Sequence, residues 1–136
     1  MKDKISFILA ASLLIVSVLG CAELRKKNPT RSDTPDFEVT LDQLAKEYKN
    51  NVSVADSKYG GRTLAITGLV DNKLLGSSVI FAGSREHGFA TQCFFDKDEA
   101  DSLKKVKSRD EITVIGVCMG RDKNDGPLMI TKCVLR

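Results

Sequence analysis

The chain has 136 residues, of which 21 are basic, 18 acidic and one histidine, and 42% of it is hydrophobic. That length supports one small domain with one core once targeting segments are set aside. The net charge of +3 is too balanced for a nucleic-acid-binding footprint, which needs clustered basicity.

Residues 1–20 open with Lys2 and Lys4 and continue as an uncharged apolar run from Ile5 to Leu19. The run is shorter than the ~20 apolar residues that span a bilayer comfortably. A charged start, a short apolar run and a small residue before a cut site describe a secretory signal peptide better than a retained anchor. Loss of this segment removes Lys2, Lys4 and Asp3, leaving 19 basic and 17 acidic residues and a net charge of +2.

The run closes on Val18-Leu19-Gly20-Cys21, which resembles the lipobox of bacterial lipoproteins. That resemblance implies diacylglycerol in thioether linkage on Cys21, cleavage after Gly20 and acylation, as with palmitate, of the new amino terminus. Several acyl chains, at ~0.8 kcal/mol per buried methylene, hold a protein on a membrane far better than one. Ala22 rather than aspartate follows the cysteine. In a Gram-negative cell this implies the outer membrane, facing the periplasm, so the expected location is the cell envelope.

Residues 22–36 contain Pro29 and Pro35, many charges and almost nothing apolar. Such a stretch cannot bury a core and reads as a tether. Its Arg25, Lys26 and Lys27 are placed to lean on anionic headgroups or to stay solvated. The expected organisation is a signal peptide over 1–20, a lipidated tether over 21–36 and one domain over 37–136.

The domain opens with a helical signal from Phe37 to Asn51. Thr40 and Gln43 fit a capping box, Val39 and Leu44 a hydrophobic staple, and Leu41, Leu44, Ala45 and Tyr48 form one apolar stripe. Residues 52–61 read as a connection ended by Tyr59-Gly60-Gly61. Thr63–Val70 is the first strand, with Gly68 a bulge or close-approach point. Ser78–Ala82 and Phe89–Phe95 are the second and third strands. Asp96–Ser108 reads as a helix, with Ala100, Leu103 and Val106 on one face. Its acids gather at the start and Lys104, Lys105 and Lys107 at the end, as the helix dipole favours. Glu111–Cys118 and Leu128–Leu135 are the last two strands, joined by a hairpin loop with Asn124-Asp125-Gly126 as turn chemistry.

Three strands, a helix and two strands is the order of a mainly β fold, the five-stranded OB-fold Greek-key barrel. Here it carries an N-terminal helix, and the helix between strands three and four closes the barrel bottom. The chain also resembles the tRNA_anti-like family. The resemblance rests on Asn51, Ala55-Asp56, Lys58-Tyr59, Thr67-Gly68-Leu69-Val70, Gln92-Cys93-Phe94-Phe95-Asp96, Gly116-Val117-Cys118-Met119-Gly120 and Lys132-Cys133-Val134. It covers roughly residues 40–136 and implies a bacterial OB-fold protein, often a lipoprotein, without implying an activity.

With Cys21 assigned to lipid, Cys93, Cys118 and Cys133 remain in a chain bound for an oxidising compartment. Adjacent hairpin strands favour a Cys118–Cys133 bridge. Pairing of Cys93 with either, or three reduced thiols packed as small hydrophobes, are the alternatives. No close Cys-x-x-Cys pair supports zinc, even with His87, so neither a metal nor a cofactor is expected. Ser84 and His87 share one turn without an orienting partner, and His87 reads as an exposed loop residue. Asp122, Asn124 and Asp125 fit a turn better than a calcium loop. The chain is therefore not expected to be an enzyme.

OB-folds bind with the outer face of strands two and three and with the loops beside it. Phe89, Thr91, Cys93 and Phe95 facing inward would place Ala90, Gln92 and Phe94 outward. Phe94 is then either a stacking platform or a contact for the N-terminal helix. Lys73, Arg85, Arg121 and Lys123 are the surrounding loop cations. The expected function is a non-catalytic binding module held on the membrane through Cys21. Its expected partner is a protein, glycan or other envelope component; the alternative, by fold analogy alone, is single-stranded nucleic acid or an oligosaccharide.

Overall fold

The computed structural model describes residues 34–74, 77–122 and 124–136. The signal peptide, Cys21, all but the end of the tether, and Lys123 lie outside the described residues.

The first helix begins later than the sequence suggests. Phe37–Thr40 is a short strand, β1, running parallel to the long strand β2, Thr63–Leu74. Helix α1 follows at Leu41–Asn50 and buries Leu41, Leu44, Ala45 and Tyr48, the four residues of the stripe. Thr40 caps it, its Oγ1 accepting from the Gln43 N–H at 3.2 Å. The Gln43 side chain turns forward to Glu47 instead of closing the capping box.

The expected connection over 52–61 is a second helix, α2, Val52–Tyr59. It buries only Ala55 and Tyr59, and Val54 is 64% exposed, so no apolar stripe announces it. Its one sequence mark is Asn51, whose Oδ1 accepts from the Val54 N–H at 3.1 Å.

Strands β3 (Ser78–Phe81), β4 (Thr91–Phe95), β5 (Glu111–Arg121) and β6 (Leu128–Leu135) complete the sheet. Its order is β1-β2-β3-β4-β6-β5, and β2 pairing with β5 closes β2 to β6 into a five-stranded barrel. The β4–β6 pairing is parallel and the other barrel pairings antiparallel, which makes this an OB-fold-like barrel. β2 serves two neighbours by length. Residues 63–69 pair with β5, while residues 70–74 pair with β3 across a bulge between Val70 and Asn72.

Gly68 is a close-approach point, not that bulge. A Cβ there would lie 2.8 Å from Leu41 Cβ, so glycine lets α1 settle on the strand. The helix before β5 is shorter than expected: a 3-10 turn over Lys97–Glu99 leads into α3, Ala100–Lys104. Leu103 and Val106 still plug the barrel bottom, both buried.

The Cys118–Cys133 bridge is not formed, and Cys93, Cys118 and Cys133 are free and buried. Two bulges in the β5–β6 pairing put Ile130 opposite Cys118 and carry Cys133 further along. Cys133 packs on Gly116 instead, where an added Cβ would come within 2.8 Å of its Sγ.

Candidate functional site

Most of the residues that carry the family resemblance around the helices meet at one seam. Tyr48 on α1 stacks on Tyr59 of α2, and Phe37 of β1 meets Tyr59 edge-on at 5.2 Å. The Tyr48 hydroxyl lies 3.4 Å from Cys118 Sγ on β5. Burial, with the neighbouring Cys118 and Asp56, pushes that phenol far above its usual range, and burial also raises the Cys118 thiol. Glu47 accepts from Lys58 Nζ at 2.9 Å and from the Tyr59 hydroxyl at 3.0 Å, tying α1 to α2. Asp56 presses on Gly120, whose φ is +84° and where a Cβ would sit 2.7 Å from Asp56 Oδ1. The seam fastens the helix pair to β5. The seam is a joint: its tyrosines and Cys118 are buried, Lys58 and Glu47 pair at its partly exposed edge, and Asp56 Oδ1 is buried against Gly120 without a hydrogen-bond partner.

The accessible surface is the outer face of β2, β3, β4 and β6. Register places Asn72, Ile80, Gln92 and Met129 in one row across four strands. Leu74, Ser78 and Phe94 form the next row. The opposite side chains, Val79, Phe81, Thr91, Cys93, Phe95 and Ile130, are buried inside the barrel. Gln92 donates to Ser78 Oγ at 3.3 Å and fixes the polar centre of the face. Leu74 and Met129 are exposed at its borders, and Met119, 61% exposed, stands on the β5 bulge beside Met129.

The helix α1 does not cover this face. It packs on α2, β1, β2 and the 3-10 turn Ser84–His87. Phe94 is therefore left half-buried on the open sheet. Sequence reasoning found Phe94 and Gln92 but missed Ile80, Met119 and Met129. The alternation Leu128-Met129-Ile130, with Leu128 and Ile130 buried, was the available signal for Met129.

The expected loop cations do not converge on the face. Arg85 pairs with Asp71 at 3.0 Å. Arg121 lies over the Phe89 ring, 4.4 Å from its centroid, and donates to the Gly126 carbonyl at 3.1 Å. It thereby holds the β5–β6 hairpin, with Asp125 at 3.7 Å. Lys73 donates to the Leu103 carbonyl at 3.1 Å, at the α3 end of the barrel. Lys73 and Arg121 thus stand at opposite ends of the sheet, and two of the three described cations face a carboxylate. Electrostatically the face is close to neutral.

The remaining chemical candidates have internal partners. The Ser84 hydroxyl donates to the Phe81 carbonyl and accepts from the Thr91 N–H. His87 is not out in solvent but lies 3.4 Å from Asp42 of α1, its side chain 13% exposed. Burial, then contact with the Cys93 thiol, holds Cys133 well above the usual thiol range. Among the described residues no group of three or more His, Cys, Asp or Glu side chains is arranged to hold a metal. Among them, too, no helix is long and apolar enough to cross a membrane.

The family model tRNA_anti-like matches residues 1–134. No curated protein matches the chain at a significant level. Among solved structures it is similar to a chain from Klebsiella pneumoniae subsp. pneumoniae MGH 78578, described as a putative nucleic acid-binding lipoprotein. Identity is 12%, the match covers 73% of this chain and 90% of that one, and the TM-score is 0.57. At that identity the likeness is one of fold.

Proposed function

The chain belongs to the tRNA_anti-like family, and from that premise we propose that it is a lipid-anchored, non-catalytic binding module of the cell envelope. Its contact surface is the outer sheet face, and its partner is a protein or another envelope component. The observation that carries this reading is the chemistry of the face. Leu74, Ile80, Phe94, Met119 and Met129 surround a small polar centre at Gln92 and Ser78. Unbranched, polarizable methionines adapt to apolar partners, and the neutral rim offers little to a phosphate backbone. The lipobox-like Val18-Leu19-Gly20-Cys21 and a solved structural neighbour described as a putative lipoprotein support the anchor.

The test places a photoreactive residue at Gln92 or Met129 of the full chain in intact cells. Crosslinks to one envelope component, absent from an equivalent position at Lys49 on α1, are the expected result. Single-stranded nucleic acid is the second reading, favoured by Phe94 standing open on an OB sheet and by the description of the Klebsiella relative. It requires a salt-dependent shift of a labelled oligonucleotide that Phe94→Ala weakens about tenfold. No shift at low salt removes it. Activity of Cys21→Ser protein retained in the cytoplasm would contradict the anchored reading.

A further inference from the structure

Both methionines of the domain stand at one place on its surface. Once residues 1–20 are set aside, Met119 and Met129 are the only methionines in the chain, and tryptophan is absent. Met119 is 61% exposed and Met129 36% exposed, although methionine is among the residues most often buried. The β5–β6 register explains why they meet. Between Cys118 and Gly120 the ladder shifts, so that Cys118 faces Ile130 and Gly120 faces Met129. Met119 is the extra residue of this bulge, displayed next to Met129, while Cys118 and Gly120 on either side of it are buried. Gly120 lies against Asp56 of α2, so the helix pair supports the bulge that displays Met119. The other oxidisable side chains are shielded. Cys93, Cys118 and Cys133 are free thiols without solvent exposure, and burial keeps Cys118 and Cys133 in the unreactive protonated form. Tyr48 and Tyr59 are fully buried as well. Among the described residues, the sulfurs open to an oxidant in solution are therefore the two thioethers. Apolar area alone does not call for methionine at both positions, because Leu69 and Leu74 supply it elsewhere on the surface.

We infer that Met119 and Met129 form an oxidation site, at which hydrogen peroxide converts the paired thioethers to sulfoxides and loosens the contact made by the outer sheet face. Each conversion is a two-electron oxidation of sulfur. A sulfur lone pair attacks one peroxide oxygen, and the O–O bond breaks as the S–O bond forms. The departing hydroxide takes the proton left on that oxygen and leaves as water, so the sulfur loses two electrons and the peroxide gains them. A dithiol reductase reverses the change, the oxygen leaving as water and the dithiol closing to a disulfide. The sulfoxide is polar where the thioether was apolar and adaptable, which disfavours its burial against a partner. Two sulfoxides side by side at the border of the face act on the same contact. The effect on binding rests on the reading of that face as the contact surface, whereas the site of oxidation does not.

The test has two arms. Purified full mature chain is treated with dilute hydrogen peroxide and its peptides are mapped by mass, and photocrosslinking from Gln92 is measured in intact cells with and without a brief peroxide pulse. In the folded chain Met119 and Met129 are each expected to gain one oxygen before Cys93, Cys118 or Cys133 gains any, and a methionine sulfoxide reductase is expected to remove it. The Cys21 peptide, outside the described residues, is read separately. The crosslink from Gln92 is expected to fall several-fold after the pulse. Met119→Leu combined with Met129→Leu, compared with its own untreated yield, is expected to lose that response, which sets aside oxidation of the partner. Oxidation of a cysteine first overturns the inference, as does resistance of both methionines at peroxide levels that oxidise free methionine. So does an unchanged crosslink from a chain carrying both sulfoxides, or an equal fall in the leucine variant. If untreated protein gives no crosslink, the reading of the contact face falls and the effect on binding falls with it, while the peptide map still decides the oxidation site.

Discussion

At the scale of single residues, the approach of Asp56 to Gly120 makes a sharp prediction. Gly120 has φ +84°, and any Cβ would land 2.7 Å from Asp56 Oδ1, a buried carboxylate oxygen on helix α2. Gly120→Ala therefore combines backbone strain with overpacking and is expected to cost about 2–4 kcal/mol in urea unfolding. Adding Asp56→Ala should return part of that loss, because the two residues share one contact and their effects do not add. Additive losses would mean that Gly120 acts through its backbone conformation alone. The cysteines give a second residue-scale expectation. All three described thiols are buried, and Cys118 and Cys133 have raised pKa values because burial disfavours the thiolate. Iodoacetamide at neutral pH is expected to leave them unlabelled in the folded protein and to modify all three after unfolding without reductant. A need for reductant would show that a bridge forms in the cell.

At the scale of elements, the α1–α2 pair was half legible, and the reason is physical. Helix α1 announces itself through a stripe at helical spacing and a threonine cap, both of which local chemistry sets. Helix α2 does not, because it is held by what it touches. Its Tyr59 is sandwiched by Phe37 and Tyr48, and its Lys58 reaches Glu47 eleven residues away. The same distinction explains the strands. Alternation revealed β3, β4 and β6, but the sixth strand β1 exists only because β2 offers it a parallel edge. Phe94 and Gln92 could be placed on the outer face by period alone, whereas the partners of Arg85 and Arg121 depended on loops whose course no local pattern encodes. The pair also makes a pH prediction. Burial raises the Glu47 carboxyl, but hydrogen bonds from Lys58, Tyr59 and Gln43 outweigh it and hold its pKa below the ordinary value near 4.5. A depressed carboxylate stabilises the fold above its ordinary pKa and loses that contribution as pH falls through the folded value. Stability should therefore decline as pH drops below about 4.5, by no more than ~1 kcal/mol for this partly exposed group. Glu47→Gln should flatten that part of the decline in denaturant titrations. Asp42, lowered by Lys46 and then His87, adds a loss of the same sign that the variant leaves in place.

At the scale of the whole molecule, charge distribution separates the two candidate partners. The sheet face is neutral because Arg85 and Arg121 face Asp71 and Asp125, and its exposed area comes from Leu74, Phe94, Met119 and Met129. In the loop after α3, Lys105, Lys107 and Arg109 make no ion pair among the described residues, while Lys104 before it pairs with Asp101. Binding that neutralises phosphates releases counterions, so its affinity falls with a log–log salt slope of about −0.7 per contact on single strands. Binding through an apolar, neutral face has no such release and changes little with salt. Once photocrosslinking has identified the partner, its affinity for the full chain should therefore vary less than about threefold between 50 and 200 mM salt, which two phosphate contacts would already exceed. Met129→Lys should weaken that affinity by placing a charge at the border of the contact, while Lys105→Glu and Lys107→Glu, in the loop after α3, should leave it unchanged. A steep salt slope that those loop variants reduce would show instead that the partner is a polyanion held at the barrel bottom. The sheet face would then be no more than the outer wall of the barrel.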